Sequence, residues 1–128
     1  MASEYARADT DEVVRRTNLA VQLVNGQIAH SARYAQVQPK ICRDGRFPNE
    51  FRAPKTVEEL RSMDPSSLDR VLGAYQLPTD MRSLRLTSRD TASSKVANLA
   101  KLCTLFDFLG ASRIADHERL KRNAIMPF

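Results

Sequence analysis

The strongest helical pattern of the sequence lies in residues 89–109, which read RDTASSKVANLAKLCTLFDFL. Apolar side chains recur there at intervals of three and four residues, in two neighbouring stripes: Ala92, Val96, Leu99, Cys103 and Phe106 in one, and Leu102, Leu105 and Leu109 in the other. A helix that is apolar over so much of its circumference has to be surrounded by other elements. The stretch therefore predicts the central core helix of an all-α domain, in which Leu99→Asp would bury an unpaired charge and rank among the most damaging substitutions.

The residues after this stretch predict one further helix. Gly110 suits the C-terminal cap of the central helix, because glycine readily adopts the left-handed conformation that such caps use. Ser112 is expected to cap a last helix that continues to about Asn123, and Pro127 ends the pattern.

Two capped helices are predicted upstream of the central one. Thr56 and Glu59 have the spacing of a capping box, and Asp64-Pro65 combines an N-cap residue with proline at the first helical position. The second of these helices carries apolar residues at the spacing of one buried face, namely Leu68, Val71, Leu72 and Tyr75. Pro78 closes it.

The N-terminal part of the chain predicts a long helix with one weak point. Asp9 and Glu12 have capping-box spacing and are expected to start it. Its apolar stripe is Val14, Thr17, Val21, Val24 and Ile28. The helix could extend to about Val37, but Asn25-Gly26 favours a break, and the same dipeptide is also a hairpin signal.

Two other stretches lack helical periodicity. Residues 38–55, QPKICRDGRFPNEFRAPK, hold three of the six prolines and predict a long Pro/Arg-rich loop, the kind of segment that often carries function. For residues 79–88 the sequence leaves two alternatives open, a short strand around Leu84-Arg85-Leu86 or an irregular connection.

Length and composition limit the class of protein. The 128 residues suffice for one domain, so we expect a single helical domain over residues 1–128 with about five helices, in which residues 1–8 form a flexible arm. No apolar run approaches the roughly 18 residues of a membrane helix, and no secretory apolar region follows the N-terminus. Two isolated cysteines, Cys42 and Cys103, predict buried thiols in a reducing compartment, either the cytoplasm or a virion.

Candidate catalytic and metal-binding residues are few. The sequence has no nucleophile elbow, zinc-protease, Walker or dinucleotide motif. Its two histidines, His30 and His117, are interpreted as structural residues. A zinc site built from them with Cys42 and Cys103 would lack the close ligand pair of zinc motifs. We therefore expect no enzyme activity, no metal and no cofactor.

Residues 108–113, FLGASR, resemble the turn of a helix-turn-helix and precede a basic helix. That motif also requires a small residue four before the glycine and apolar residues six and nine after it. These positions hold Phe106, Asp116 and Arg119, which would not pack at a close helix crossing. The stretch is interpreted as an ordinary turn between two helices.

The charge pattern favours a partner that carries phosphate. The net charge is +5, and fifteen arginines stand against five lysines. Residues 40–55 carry +3 and residues 82–101 carry +4, on either side of residues 56–70 with −2. Arginine binds phosphate through a planar fork of donors. The alternative interpretation is an ordinary solvated surface.

Six arginines form the predicted binding surface: Arg43, Arg46, Arg52, Arg82, Arg85 and Arg89. The spacing 82, 85 and 89 places three guanidinium groups on one face if the segment is helical, and separates them if it is extended. Phe47 and Phe51 alternate with the loop arginines, as in proteins that stack single-stranded bases. The alternative for these two rings is that they anchor the loop to the core.

The predicted function is that of a non-enzymatic, nucleic-acid-associated subunit of a larger assembly. Binding to single-stranded RNA or DNA would be mainly to phosphate, with little sequence preference. Self-association or other protein subunits are expected partners, a membrane is not, and the analogy is with viral or phage packaging and nucleocapsid components. The alternative is a protein–protein adaptor or structural subunit without a nucleic-acid role.

Overall fold

The structure, a computed structural model, describes residues 2–86 and 94–125 and has the predicted all-α class. Its helices are α1 (Ala2–Asn25), α2 (Val57–Arg61), α3 (Pro65–Ala74), α4 (Ser94–Leu109) and α5 (Ser112–Ile125). The sheet within the described residues has two antiparallel strands, β1 (Gln36–Val37) and β2 (Lys55–Thr56). The predicted start of the central helix, at the beginning of residues 89–109, lies outside the described residues.

The main core is built on α4, as predicted, but its two stripes are not buried equally. Its buried α4 side chains are Leu102, Leu105, Phe106 and Leu109, whereas Val96 and Ala100, nearer the helix start, are buried in a second, smaller core. Leu99 and Cys103 are only partly buried. The expectation that Leu99→Asp would place a charge in the buried core is therefore met only in part, because the main core joins Leu102, Leu105, Phe106 and Leu109 to residues of α3 and α5 and does not include Leu99.

Gly110 ends α4 as predicted, with a positive φ of 87°. The amides of Ala111 and Gly110 donate to the carbonyls of Phe106 and Asp107 in a Schellman motif. A Cβ at Gly110 would lie 2.7 Å from the backbone of Gln22, so the turn also requires glycine for its contact with α1. Ser112 is not the predicted cap: it is the first residue of α5, and its hydroxyl donates to the Gly110 carbonyl.

Helix α1 begins earlier than predicted and ends at the predicted weak point. Because its backbone is helical from Ala2, Asp9 and Glu12 lie inside the helix, and Glu12 accepts hydrogen bonds from Arg15 and Arg16 rather than from a cap. The helix stops at Asn25, so the break at Gly26 is confirmed and neither a helix to Val37 nor a hairpin forms. The flexible arm at residues 1–8 stays a prediction.

The predicted long loop is present as residues 38–54, closed at its base by β1 and β2. In that pair Gln36 lies opposite Thr56 and Val37 opposite Lys55. The loop's two phenylalanines differ. Phe51 is fully buried and anchors the loop to the core, whereas Phe47 is 42% exposed.

Helices α2 and α3 start as their capping signals predict. Thr56 and Glu59 form a reciprocal capping box, and Asp64 accepts from the amide of Ser66 with Pro65 in the first turn. Of the predicted α3 face, Leu68, Val71 and Leu72 are buried within the helix and Tyr75 is buried at its C-cap.

The ambiguous stretch forms a short turn rather than a strand over residues 80–86. Asp80 accepts from the amide and hydroxyl of Ser83, which gives the turn a helix-like start. Arg85 has a φ of 56°, and the Leu86 amide donates to the Met81 carbonyl, so the turn ends there in a Schellman-type cap. The turn is held to the domain by a small second core made of Leu84, Leu86, Val96 and Ala100.

Candidate nucleic-acid interface

The predicted helical face of Arg82, Arg85 and Arg89 does not form over the described part of this segment. Arg82 and Arg85 are both exposed, but the left-handed backbone at Arg85 ends the turn and breaks the three- and four-residue spacing of a continuing helix. Leu84 and Leu86 are buried in the small second core. Arg89 lies outside the described residues.

The loop arginines, Arg43, Arg46 and Arg52, are exposed on residues 38–54. Arg52 donates to the Asn49 side chain at 2.7 Å. The loop itself is bound to α1 and α3, whereas the 80–86 turn is bound to α4 and α5. The predicted arginines are therefore divided between two parts of the molecule.

In each of the basic segments, residues 40–55 and 82–101, one lysine makes its contacts inside the domain. Lys40 is buried, donates to Gln22 and lies 4.4 Å from the centre of the Phe108 ring, and burial lowers its pKa. Lys101 pairs with Asp69 at 2.8 Å. Because Lys40 is buried and the Lys101 side chain is only 20% exposed, these lysines do not belong to an open binding surface.

A cleft of about 590 Å³ lies where the 80–86 turn meets α4 and α5. We name it the arginine cleft. Three arginines line it with six other residues: Ser83, Leu84, Arg85, Ala100, Cys103, Thr104, Asp107, Arg119 and Arg122. Its size is within the range of small-ligand sites.

Neighbouring groups hold the two arginines that α5 contributes to the cleft. Arg119 bridges two carboxylates, with Nη2 2.6 Å from Asp107 and Nη1 2.6 Å from Asp116. Arg122 donates from Nη1 to the Leu84 carbonyl at 3.3 Å and from Nη2 to the Arg85 carbonyl. Arg122 thus satisfies carbonyls at the end of the turn and keeps the turn against α5.

The rest of the lining is mostly uncharged. Leu84 and Ala100 are buried beneath the cleft, and Thr104 donates its hydroxyl to the Ala100 carbonyl at 3.1 Å. The Cys103 sulfur lies 3.5 Å from the Ala115 carbonyl, and burial raises the pKa of its thiol. A thiol with a raised pKa is a poor nucleophile, so Cys103 serves as lining rather than as a reactive group.

The cleft combines guanidinium groups with an uncharged floor. Arg85, Arg119 and Arg122 outnumber the one lining carboxylate, Asp107. Such a surface can pair a phosphate with the arginines while a base or sugar lies over the uncharged residues. Arg119 and Arg122 were not among the predicted binding residues, because in the sequence they stand out only as part of the basic helix after the FLGASR turn. The sequence feature that could have identified them is their three-residue spacing, which places both side chains on one face of a helix.

The packing of α4 and α5 agrees with the interpretation that this stretch is not a helix-turn-helix. Phe106 fills the core, and Asp116 and Arg119 are exposed and paired with each other. Their side chains would have to be buried in that motif.

His30 and His117 were predicted to be two separate structural residues, but in the structure they lie against each other. The His30 and His117 ring centres are 5.6 Å apart, on a shallow surface completed by Arg113, Asp116 and Leu120. Burial and the nearby charges of Lys121 and Arg61 lower the pKa of His117. Within residues 2–86 and 94–125 no group of three or more His, Cys, Asp or Glu side chains is arranged to hold a metal ion.

Among the helices in the described ranges, none is both long and apolar enough to span a bilayer. Comparison with protein-family models, with curated proteins and with solved structures finds no match to this chain.

Proposed function

We propose that the protein binds single-stranded nucleic acid through the arginine cleft, as a non-enzymatic subunit of a larger assembly. The observation that supports this proposal is the convergence of Arg85, Arg119 and Arg122 on one cleft with an uncharged floor. The three come from two separate parts of the sequence, so their meeting is a property of the fold.

The cleft suits phosphate because its α5 arginines are held in place before a ligand arrives. Asp107 and Asp116 orient Arg119, and two backbone carbonyls orient Arg122. Immobilising a flexible side chain on binding costs roughly 0.5–1.5 kcal/mol, and much of that cost is already met here. Arg85, exposed at the rim, supplies the adaptable third contact.

The exposed loop arginines Arg43, Arg46 and Arg52 are a second set of phosphate contacts in this proposal. Phe47, exposed beside them, offers one ring on which a base can stack. A nucleic-acid strand that contacts both the cleft and the loop would be bound through its phosphate backbone, with little preference for base sequence.

The test is a fluorescence anisotropy titration of a labelled oligouridylate and a labelled oligothymidylate between about 50 and 200 mM salt. We expect affinity to fall steeply with salt for both strands. The cleft variant Arg85→Gln/Arg119→Gln should weaken binding to both alike. It should also lower the salt slope by about one unit for each phosphate that the variant no longer neutralises.

The matched control is Arg15→Gln/Arg16→Gln, which removes the same charge from exposed positions on α1. It should leave affinity close to that of the wild type. Equal losses of affinity in the two variants would show that only the net charge matters, and would overturn the assignment of binding to the cleft. Micromolar or weaker binding that ignores salt would favour the alternative function, a protein–protein adaptor without a nucleic-acid role.

A further inference from the structure

Asp116 is shared by two surfaces of α5. Its carboxylate lies 2.6 Å from Nη1 of Arg119, one of the three arginines that line the arginine cleft. The same residue lines the shallow surface around the rings of His30 and His117, which we name the histidine surface. Because the Asp116 side chain is 69% exposed, it can rotate from one surface to the other without disturbing the core.

The histidine surface has one carboxylate in its lining, that of Asp116, beside the cation Arg113 and the apolar Leu120. The ring centres of His30 and His117 are 5.6 Å apart, so a proton on one ring opposes a proton on the other. An imidazolium at this surface is stabilised by an opposite charge within reach. The lining offers Asp116 for that role.

The other charged groups near His117 do not supply this opposite charge. Burial and the cations Lys121 and Arg61 lower the pKa of His117, so its ring is neutral at neutral pH. Glu118 is a nearby anion, but its carboxylate is buried and lies 2.6 Å from Arg61 Nε. A proton taken up by the histidine pair therefore creates a charge that the buried ion pair does not neutralise.

Arg119 is shielded by two carboxylates while the histidines are neutral. Its Nη2 lies 2.6 Å from Asp107 and its Nη1 lies 2.6 Å from Asp116. Two carboxylates on one guanidinium more than cancel its charge, which weakens its attraction for a phosphate. When Asp116 leaves, Asp107 still orients Arg119, and Nη1 becomes a donor for a phosphate oxygen.

We propose that protonation of the His30–His117 pair draws Asp116 from Arg119 to the histidine surface and thereby strengthens phosphate binding in the arginine cleft. This inference rests on the proposed function of the cleft and adds its regulation by pH. Affinity for single-stranded nucleic acid is then higher in mildly acidic than in neutral solution. The coupling is reciprocal, so bound phosphate also favours the protonated form of His117.

The test is an anisotropy titration of labelled oligothymidylate, whose phosphates and bases do not titrate between about pH 7 and pH 5, at constant salt. Wild-type affinity should rise by at least about fivefold on acidification. Asp116→Asn should bind at the higher pH about as tightly as the wild type binds at the lower pH, and should lose most of the pH dependence. His117→Gln should keep the neutral-pH affinity of the wild type throughout. Circular dichroism at both pH values checks that each variant is folded.

The matched control is Asp11→Asn, which removes the same charge from an exposed position on α1. It should keep the wild-type affinity and the wild-type pH dependence. A second measurement follows the ring of His117 by NMR with and without saturating oligothymidylate. Binding should raise the pKa of His117, and should raise it by less in Asp116→Asn.

The outcomes separate this inference from the proposed function. Salt-dependent binding that is equally tight at both pH values would overturn the inference and leave the proposed function intact. An Asp116→Asn variant that keeps the full wild-type rise would also overturn it, because the histidine charge would then act without this carboxylate. Absence of salt-dependent binding at both pH values would overturn the proposed function, and the inference with it.

Discussion

The side chain of Asn25 makes both backbone hydrogen bonds to Gln38, accepting from its amide at 2.8 Å and donating to its carbonyl at 2.9 Å. Asn25 is fully buried at the last position of α1 and also donates to the Leu109 carbonyl at 2.9 Å. Asn18 makes the same pair of bonds to Ile41, two turns earlier. These two amides attach the helix to the first residues of the long loop, and Asn25 joins both to the end of α4.

Asn25→Ala is expected to destabilise the domain by about 3 kcal/mol, because it leaves the buried carbonyl of Leu109 and two partly buried backbone groups of Gln38 without this partner. Asn18→Ala is the matched control. Asn18 makes the same two partly buried bonds but none like the buried bond to Leu109, so water can replace its bonds and about 1 kcal/mol is expected. Urea denaturation measures both. Equal losses for the two variants would contradict the central role of Asn25.

The buried ion pair between α2 and α5 yields a second prediction. Arg61 Nε lies 2.6 Å from Glu118 Oε1, and the Glu118 side chain is 1% exposed. Arg61→Ala would leave that carboxylate buried with, among the described residues, only the 3.5 Å contact from Lys121, at a cost of about 3–5 kcal/mol. The double variant Arg61→Met/Glu118→Leu should recover most of the loss, because it removes both charges. A double variant no more stable than Arg61→Ala would show that the pair is not the cause.

The unequal burial of the two α4 stripes predicts unequal effects of truncation. Leu105→Ala removes a fully buried side chain and should lower the free energy of unfolding by about 3 kcal/mol. Leu99→Ala, at a partly buried position, should lower it by about 1 kcal/mol. Thermal unfolding followed by circular dichroism distinguishes these values. A larger loss at Leu99 would restore the expectation drawn from the sequence.

The surroundings of His117 predict that acid weakens the fold, because burial and the charges of Lys121 and Arg61 lower its pKa. Because the pKa of His117 is lower in the folded protein than in the unfolded chain, the unfolded chain binds more protons near pH 6. Stability is therefore full at neutral pH, above the ordinary histidine pKa of about 6.5, and falls as the pH passes down through the folded-state value.

His117→Gln should reduce this dependence between about pH 7 and pH 5, measured as the change in urea midpoint. His30→Gln, which removes the neighbouring imidazole, should leave a larger pH dependence than His117→Gln does. A wild-type midpoint that rises on acidification through this window would contradict the assignment.

Helix class and helix ends were predictable because they depend on residues a few positions apart. The capping box of Thr56 and Glu59, the Asp64-Pro65 start and the Gly110 cap are local interactions that need no tertiary contact. The break after Asn25 is local in the same sense. The start of α1 was not predicted, because the capping-box spacing of Asp9 and Glu12 lies inside the helix, where Glu12 pairs with arginines instead.

For the candidate site, the sequence predicted the chemical class of the ligand but not the set of residues that forms the site. An arginine-rich composition indicated phosphate, and Arg85 was among the predicted residues. Its neighbours Arg119 and Arg122 reach it because the left-handed turn at Arg85 and the small core of Leu84 bring residues nearly forty positions apart together. By itself the sequence determined where helices form and cap. The tertiary structure decided which arginines share a cleft and that the rings of His30 and His117 lie together, because both depend on packing between distant segments.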